Sequence, residues 1–63
     1  MTPDEERWAE AIAIKKQHGD EVLPFVAVRI FELGQAGDAE GVQRWFEILT
    51  KVHDLRAAEE RRQ

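Results

Sequence analysis
Stepped at 100° per residue, Val22, Phe25, Val26, Ile30, Leu33 and Ala36 fall in one stripe, the pattern of a helix that buries one side and wets the other. Further along, Val42, Trp45, Leu49 and Val52 form a seam at alternating three- and four-residue steps. Ile48 and Leu55 widen it on one side and Phe46 on the other. Near the start, Trp8, Ala11 and Ile12 share a stripe from which Ile14 is displaced. No period-two alternation is sustained, and the β-branched residues recur at helical spacings, so the pattern predicts an all-α chain of three helices.

The punctuation between these runs sets their bounds. Thr2, Pro3 and Glu5 make a capping-box start, with Asp4, Glu5 and Glu6 at the positive end of the helix dipole. Lys15, Lys16 and His18 crowd the last turn before Gly19, so the first helix is expected over residues 3–18. Asp20 is a candidate cap for the second helix, which starts at Glu21 or at Pro24 and ends near Ala36, because Gly37 follows. Asp38 then caps a third helix over residues 39–61. Connections this short turn consecutive helices back on each other, predicting a three-helix up-down-up antiparallel bundle and one domain over residues 1–63. At 1.5 Å per residue the third helix spans roughly 34 Å against roughly 24 Å for the others. Its end, residues 56–63, with nothing apolar larger than Ala, is expected to overhang as a polar, fraying tail.

The pattern also contains a misfit. Val28 and Phe31 lie well off the second helix's stripe, where a monomeric bundle would show polar residues, and Ile14 and Ile48 add to the excess. Burying a large apolar side chain is worth about 1.5–3 kcal/mol, and a chain this short buries only roughly 60% of its unfolded surface. With 63 residues and no cysteine, neither a large core nor a disulfide can make good the loss. A second copy of the chain can. Self-association as a homodimer or higher oligomer is therefore expected, with Ile14, Val28, Phe31 and Ile48 as the interface residues.

Charge and side-chain chemistry narrow the function classes. A net charge of −4 with a pI near 5.0 repels nucleic acid and anionic membranes, so neither is expected as a partner. The chain has no Ser, Cys, Tyr or Asn, and Thr2 and Thr50 carry its only hydroxyls, which excludes Ser- and Cys-based triads. His18 reads as a cation at a helix end. His53 and Asp54 are adjacent on a helix and point about 100° apart, so they do not converge on a metal. Neither a catalytic residue, a metal site nor a cofactor is expected, and a chain of this length offers scant wall for a pocket. Trp8 and Trp45 are read as core, Glu47 and Lys51 as a surface pair one turn apart, and Gly41 as room for close approach of the second helix. Opening the third helix with Asp38 and Glu40 is the wrong chemistry for phosphate or for a DNA-recognition helix. Arg29, inside the second helix's apolar stripe, is expected to form a structural ion pair with Glu32, Glu10 or Asp54, because an unpaired buried charge is costly. Neither a run of about 18 apolar residues nor a basic-then-apolar leader is present, so a cytoplasmic protein is expected.

Trp8-Ala9, His18-Gly19, Phe25-Val26-Ala27, Arg29-Ile30, Gly37-Asp38, Gly41, Trp45 and Leu55 together resemble a family of short uncharacterised bacterial proteins seen chiefly in alphaproteobacteria, over about residues 6–55. The resemblance implies a small all-helical domain with no assigned activity and transfers no catalytic residue. The family pattern is less apolar at the positions of Val28 and Phe31, which implies that self-association through them is particular to this member. The resulting expectation is a non-enzymatic interaction module that assembles with itself. The alternatives are a small regulatory adaptor or antitoxin-like inhibitor that binds a different protein, and, further off, a ligand or nucleic-acid binder.

Overall fold
The computed structural model describes residues 1–61. Three α-helices make up the described residues: α1 (Pro3–His18), α2 (Val22–Gln35) and α3 (Ala39–Arg61), with a 3-10 turn at Gly19–Glu21 between the first two. Among the described residues there is no strand.

Local chemistry accounts for each end. Thr2 and Glu5 close a reciprocal capping box: the Glu5 amide donates to Thr2 Oγ1 at 3.1 Å and the Thr2 amide to Glu5 Oε1 at 3.0 Å. Gly19, at φ +56°, ends α1, its amide donating to the Lys15 carbonyl. Asp20 does not cap α2 as expected. The chain passes through the 3-10 turn instead, and α2 begins at Val22 behind Glu21, which makes no side-chain cap bond. Pro24 is accommodated because an amide in the first turn has no partner to lose. At the far end of α2 the Asp38 amide reaches the Leu33 carbonyl and the Gly37 amide reaches that of Gly34, at 3.0 and 3.1 Å. With Gly37 at φ +75° this is a Schellman stop. Asp38 then caps α3, its Oδ1 accepting from the Gly41 amide at 2.9 Å. Gly41 is tied to this cap and not, as expected, to the approach of α2: a Cβ there would overlap the Asp38 carboxylate, 2.8 Å from its carbon.

The up-down-up bundle is met only in part. Leu23 and Ala27 lie beside Leu49, Thr50 and His53, and Gly34 beside Val42 and Phe46, so α2 and α3 form an antiparallel hairpin. Helix α1, however, runs into α2 with no loop, making one long bent helical run, and it touches α2 little while packing on α3. On one flank of α1, Arg7 and Glu10 meet Glu47 and Arg44. On the other flank, Trp8 meets Lys51, Ile12 shares a hollow with Leu55, and Lys15 pairs with Glu59. One flank thus faces the earlier part of α3 and the other the later part, while from Asp4 at Lys51 to Lys15 at Glu59 the contacts advance along both helices in the same sense, so α1 lies obliquely along α3.

Ala11, Val22, Val26, Ile48 and Val52 are fully buried at that crossing. Ile14, Leu23, Phe25, Ile30, Trp45, Leu49 and Leu55 pack around them. Two expected interface residues are therefore corrected. Ile48 is central to the chain's own core, and Ile14 is half-buried against it, because α1 turns the ridge Arg7, Ala11, Ile14, His18 towards the other two helices. Ile12, expected inside, is 42% exposed. Over the expected overhang, residues 56–61 continue the helix as its bounds anticipated, with Arg56 and Ala57 half-buried, residues 58–61 exposed and Glu59 paired with Lys15. The last two positions of the expected tail, 62 and 63, lie outside the described residues.

Candidate protein interface
With α1 covering one side of the α2–α3 hairpin, the other side has no helix over it. Along α2 that side carries Leu23, Ala27, Phe31 and Gly34, one ridge at steps of four, four and three. Along α3 it carries Val42, Phe46, Leu49, Thr50 and His53. Phe31 is 67% exposed, Phe46 49% and Val28 58%. Isolated exposed hydrophobes are ordinary, but two phenylalanines on one uncovered side make a patch.

The patch has relief. Small Ala27 lets the surface dip into an open hollow of about 540 Å³ lined by Leu23, Ala27, Leu49, Thr50 and His53. Gly34, Gly37, Val42 and Phe46 border a second, smaller one towards the hairpin turn. The Thr50 hydroxyl donates to its own helix at the Phe46 carbonyl, 3.1 Å away, so the first hollow has a satisfied floor. No carboxylate lines either hollow except Asp38 at the turn.

Of the expected interface residues, the structure thus leaves Val28 and Phe31 exposed and takes Ile14 and Ile48 inside. Phe31 lines neither hollow but projects beside them on the ridge of α2 that carries Ala27 and Gly34, whereas Val28 points further round α2. Phe46, read from the sequence as part of the seam, is the contributor that sequence reasoning missed. Its signal was its place on the side of the seam opposite Ile48.

Charged side chains gather elsewhere, between α1 and the start of α3. Glu10 accepts from Arg7 at 2.5 Å and from Arg44 at 2.8 Å. Partial burial acts to raise its carboxyl, but the bonds from Arg44 and Arg7 and their positive charge outweigh this and hold it below the usual carboxylate range. The same bond to Glu10 raises Arg44. The enclosed guanidinium is Arg7, 16% exposed, whose Nε is buried without a hydrogen-bond partner and lies 3.8 Å from Glu47. Arg29 does pair with Glu32, but at 3.7 Å and half-exposed, with its guanidinium 5.9 Å over the Trp45 ring. It lies at the edge of the apolar stripe instead of inside it, and Glu10 and Asp54, its other expected partners, are engaged elsewhere. Likewise Glu47 does not pair with Lys51. Glu47 turns to Arg7, and Lys51 reaches Asp4 at 2.9 Å with its ammonium 4.8 Å above the Trp8 ring. These contacts lock α1 to α3 and are structural.

The two histidines stay apart. His18 stacks on Phe25 with ring centroids 3.8 Å apart, closing the bend between α1 and α2. His53 is exposed, its Nδ1 4.0 Å from Asp54. Among the described residues no three His, Cys, Asp or Glu side chains are gathered as a metal would need, and no helix is long and apolar enough to cross a membrane.

A family model described as "Family of unknown function (DUF6961)" matches residues 3–60, nearly the whole chain, and the chain belongs to that family. No curated protein and no solved structure matches it.

Proposed function
We propose that this member of the DUF6961 family is a non-enzymatic helical interaction module that assembles with itself through the uncovered side of its α2–α3 hairpin. The observation that carries the reading is the exposure of Phe31, next to Val28, on a helix whose opposite side is already spent on the core. Burial of Phe31 against a second chain would recover up to about 1.5–3 kcal/mol, a substantial fraction for so small a fold. The hollows are open grooves lined mainly by aliphatic, aromatic and small residues, with Asp38, Gln43, Thr50 and His53 among them, and their openness suits packing against a helix better than enclosing a reaction. A bacterial, cytoplasmic setting completes the proposal, in keeping with a chain that has no cysteine to oxidise.

Sedimentation equilibrium of the wild type beside Phe31→Glu tests it. The wild type is expected to shift from monomer towards dimer as loading rises, and Phe31→Glu to remain a monomer with an unchanged far-UV spectrum. A wild-type mass equal to one chain at every loading overturns the proposal. Stoichiometric co-purification of a different protein with such a monomer would favour an adaptor or inhibitor role for the same groove.

A further inference from the structure
Resting on the reading that the chain self-associates, we propose the mode: two copies meet about a two-fold axis, and the Phe31 ring of each enters the Ala27 hollow of the other. A two-fold contact is self-complementary, so whatever protrudes on one copy must find its recess on the same surface of the other. Phe31 protrudes and the hollow around Ala27 recedes, one helical turn apart on a single ridge of α2. An axis passing between them, perpendicular to α2 near position 29, exchanges knob and hollow and sets the two α2 helices antiparallel. On α3 the arrangement repeats, with exposed Phe46 on the knob side and Leu49, Thr50 and His53 on the hollow side.

Charge selects a second copy over a nucleic acid or an anionic surface as the occupant. Each chain carries −4, so two copies repel over most of their surface. On the side bearing Leu23, Ala27, Phe31, Gly34, Phe46 and Leu49 the hollows carry one carboxylate, Asp38 at the hairpin turn, and with the two α2 helices antiparallel about position 29 two such chains can approach around Ala27 and Phe31 without juxtaposing carboxylates. Size fits a modest assembly. Two adjacent helices about 20 Å across and about 21 Å long project roughly 400 Å² on each copy, or about 800 Å² in all before side-chain relief is counted, below the roughly 1,200 Å² of a stable specific interface and in the range of weak, transient contacts. The expected dimer is therefore a dissociable one.

The test uses Phe31→Ala, which removes the knob, and Ala27→Trp, which fills the hollow. Both positions are exposed, and far-UV circular dichroism verifies that each variant folds; Thr50→Trp is a second way to fill the hollow. Alone, each variant is expected to self-associate more than about 100-fold more weakly than wild type, because both symmetric contacts are lost. Mixed in equal amounts they are expected to form a heterodimer. One contact is then intact, and at the other the introduced indole occupies the place of the missing phenyl. If the wild type dimerises and the mixture stays monomeric, or if either variant alone dimerises like wild type, this mode is overturned while self-association stands. If the wild type never dimerises, the underlying reading falls with it.

Discussion
Ile48→Val is the sharpest probe of how the apolar residues divide between core and surface. Ile48 is fully buried beside Ala11, Val22, Val26 and Val52, so the substitution removes one methyl group from a packed site. The transfer loss is about 0.8 kcal/mol, and with the small cavity left behind the cost is roughly 0.5–1.5 kcal/mol. At roughly 0.05–0.15 kcal/mol per residue, a chain of 63 residues has about 3–9 kcal/mol in all, so this is a visible share. For a domain this small the urea dependence is about 1 kcal/mol per molar, and the unfolding midpoint should fall by about 1 M. Ile48→Ala, costing about 2–5 kcal/mol, should remove roughly half of that total and lower the midpoint by several molar. Urea titrations followed by circular dichroism, at a dilute loading and at one a hundredfold higher, make the measurement. Position 48 is covered within one chain, so the Ile48→Val shift should be the same at both loadings. A midpoint that matches wild type when dilute and diverges only when concentrated would refute the reasoning, since Ile48 would then be covered only by assembly.

Two further predictions concern the polar framework. Glu10 titrates below its ordinary value of 4.5 in the folded chain, so it contributes stability that is fully present above that value and lost as pH falls through the folded one. Urea midpoints of Glu10→Gln should fall less steeply than wild type over roughly pH 5 to 3, and coincident slopes would show the Arg7 and Arg44 bonds to be energetically idle. At the start of α3, Asp38→Ala should cost about 1 kcal/mol by removing the cap on the Gly41 amide. Gly41→Ala should then gain up to about 1 kcal/mol of helix propensity in the Asp38→Ala background but less in wild type, where the new methyl displaces the carboxylate. Equal effects in both backgrounds would mean that the overlap constrains nothing.

Some of this was legible before any coordinates, and the residues show why. The Thr2–Glu5 box, the glycine stops at 19 and 37, and the Asp38 cap are written within a few positions of the bonds they make, so α1 and α3 take the expected bounds. The start of α2 differs, because a 3-10 turn satisfies the backbone where Asp20 was expected to cap. Arg7 escaped notice because a reading by hydrophobicity alone excludes a guanidinium from a buried ridge. Yet its spacing of four, three and four with Ala11, Ile14 and His18 is helical, and admitting polar residues to that ridge would have found the face. The misfit at Phe31 and Val28 was visible from periodicity, because both lie off a stripe long enough to define itself.

The sequence by itself determined that the chain is helical, where α1 and α3 run, and that its apolar residues exceed one stripe per helix, since caps, stops and periodicity act within a turn or two of backbone. The tertiary structure decided which of the surplus residues are dry. The crossing of α1 over α3 takes Ile48 and Ile14 into the core, encloses Arg7, leaves Arg29 half-exposed, and opens the far side of the hairpin around Phe31 and Phe46. A crossing angle depends on the summed packing of residues distant in sequence, and no local spacing encodes it.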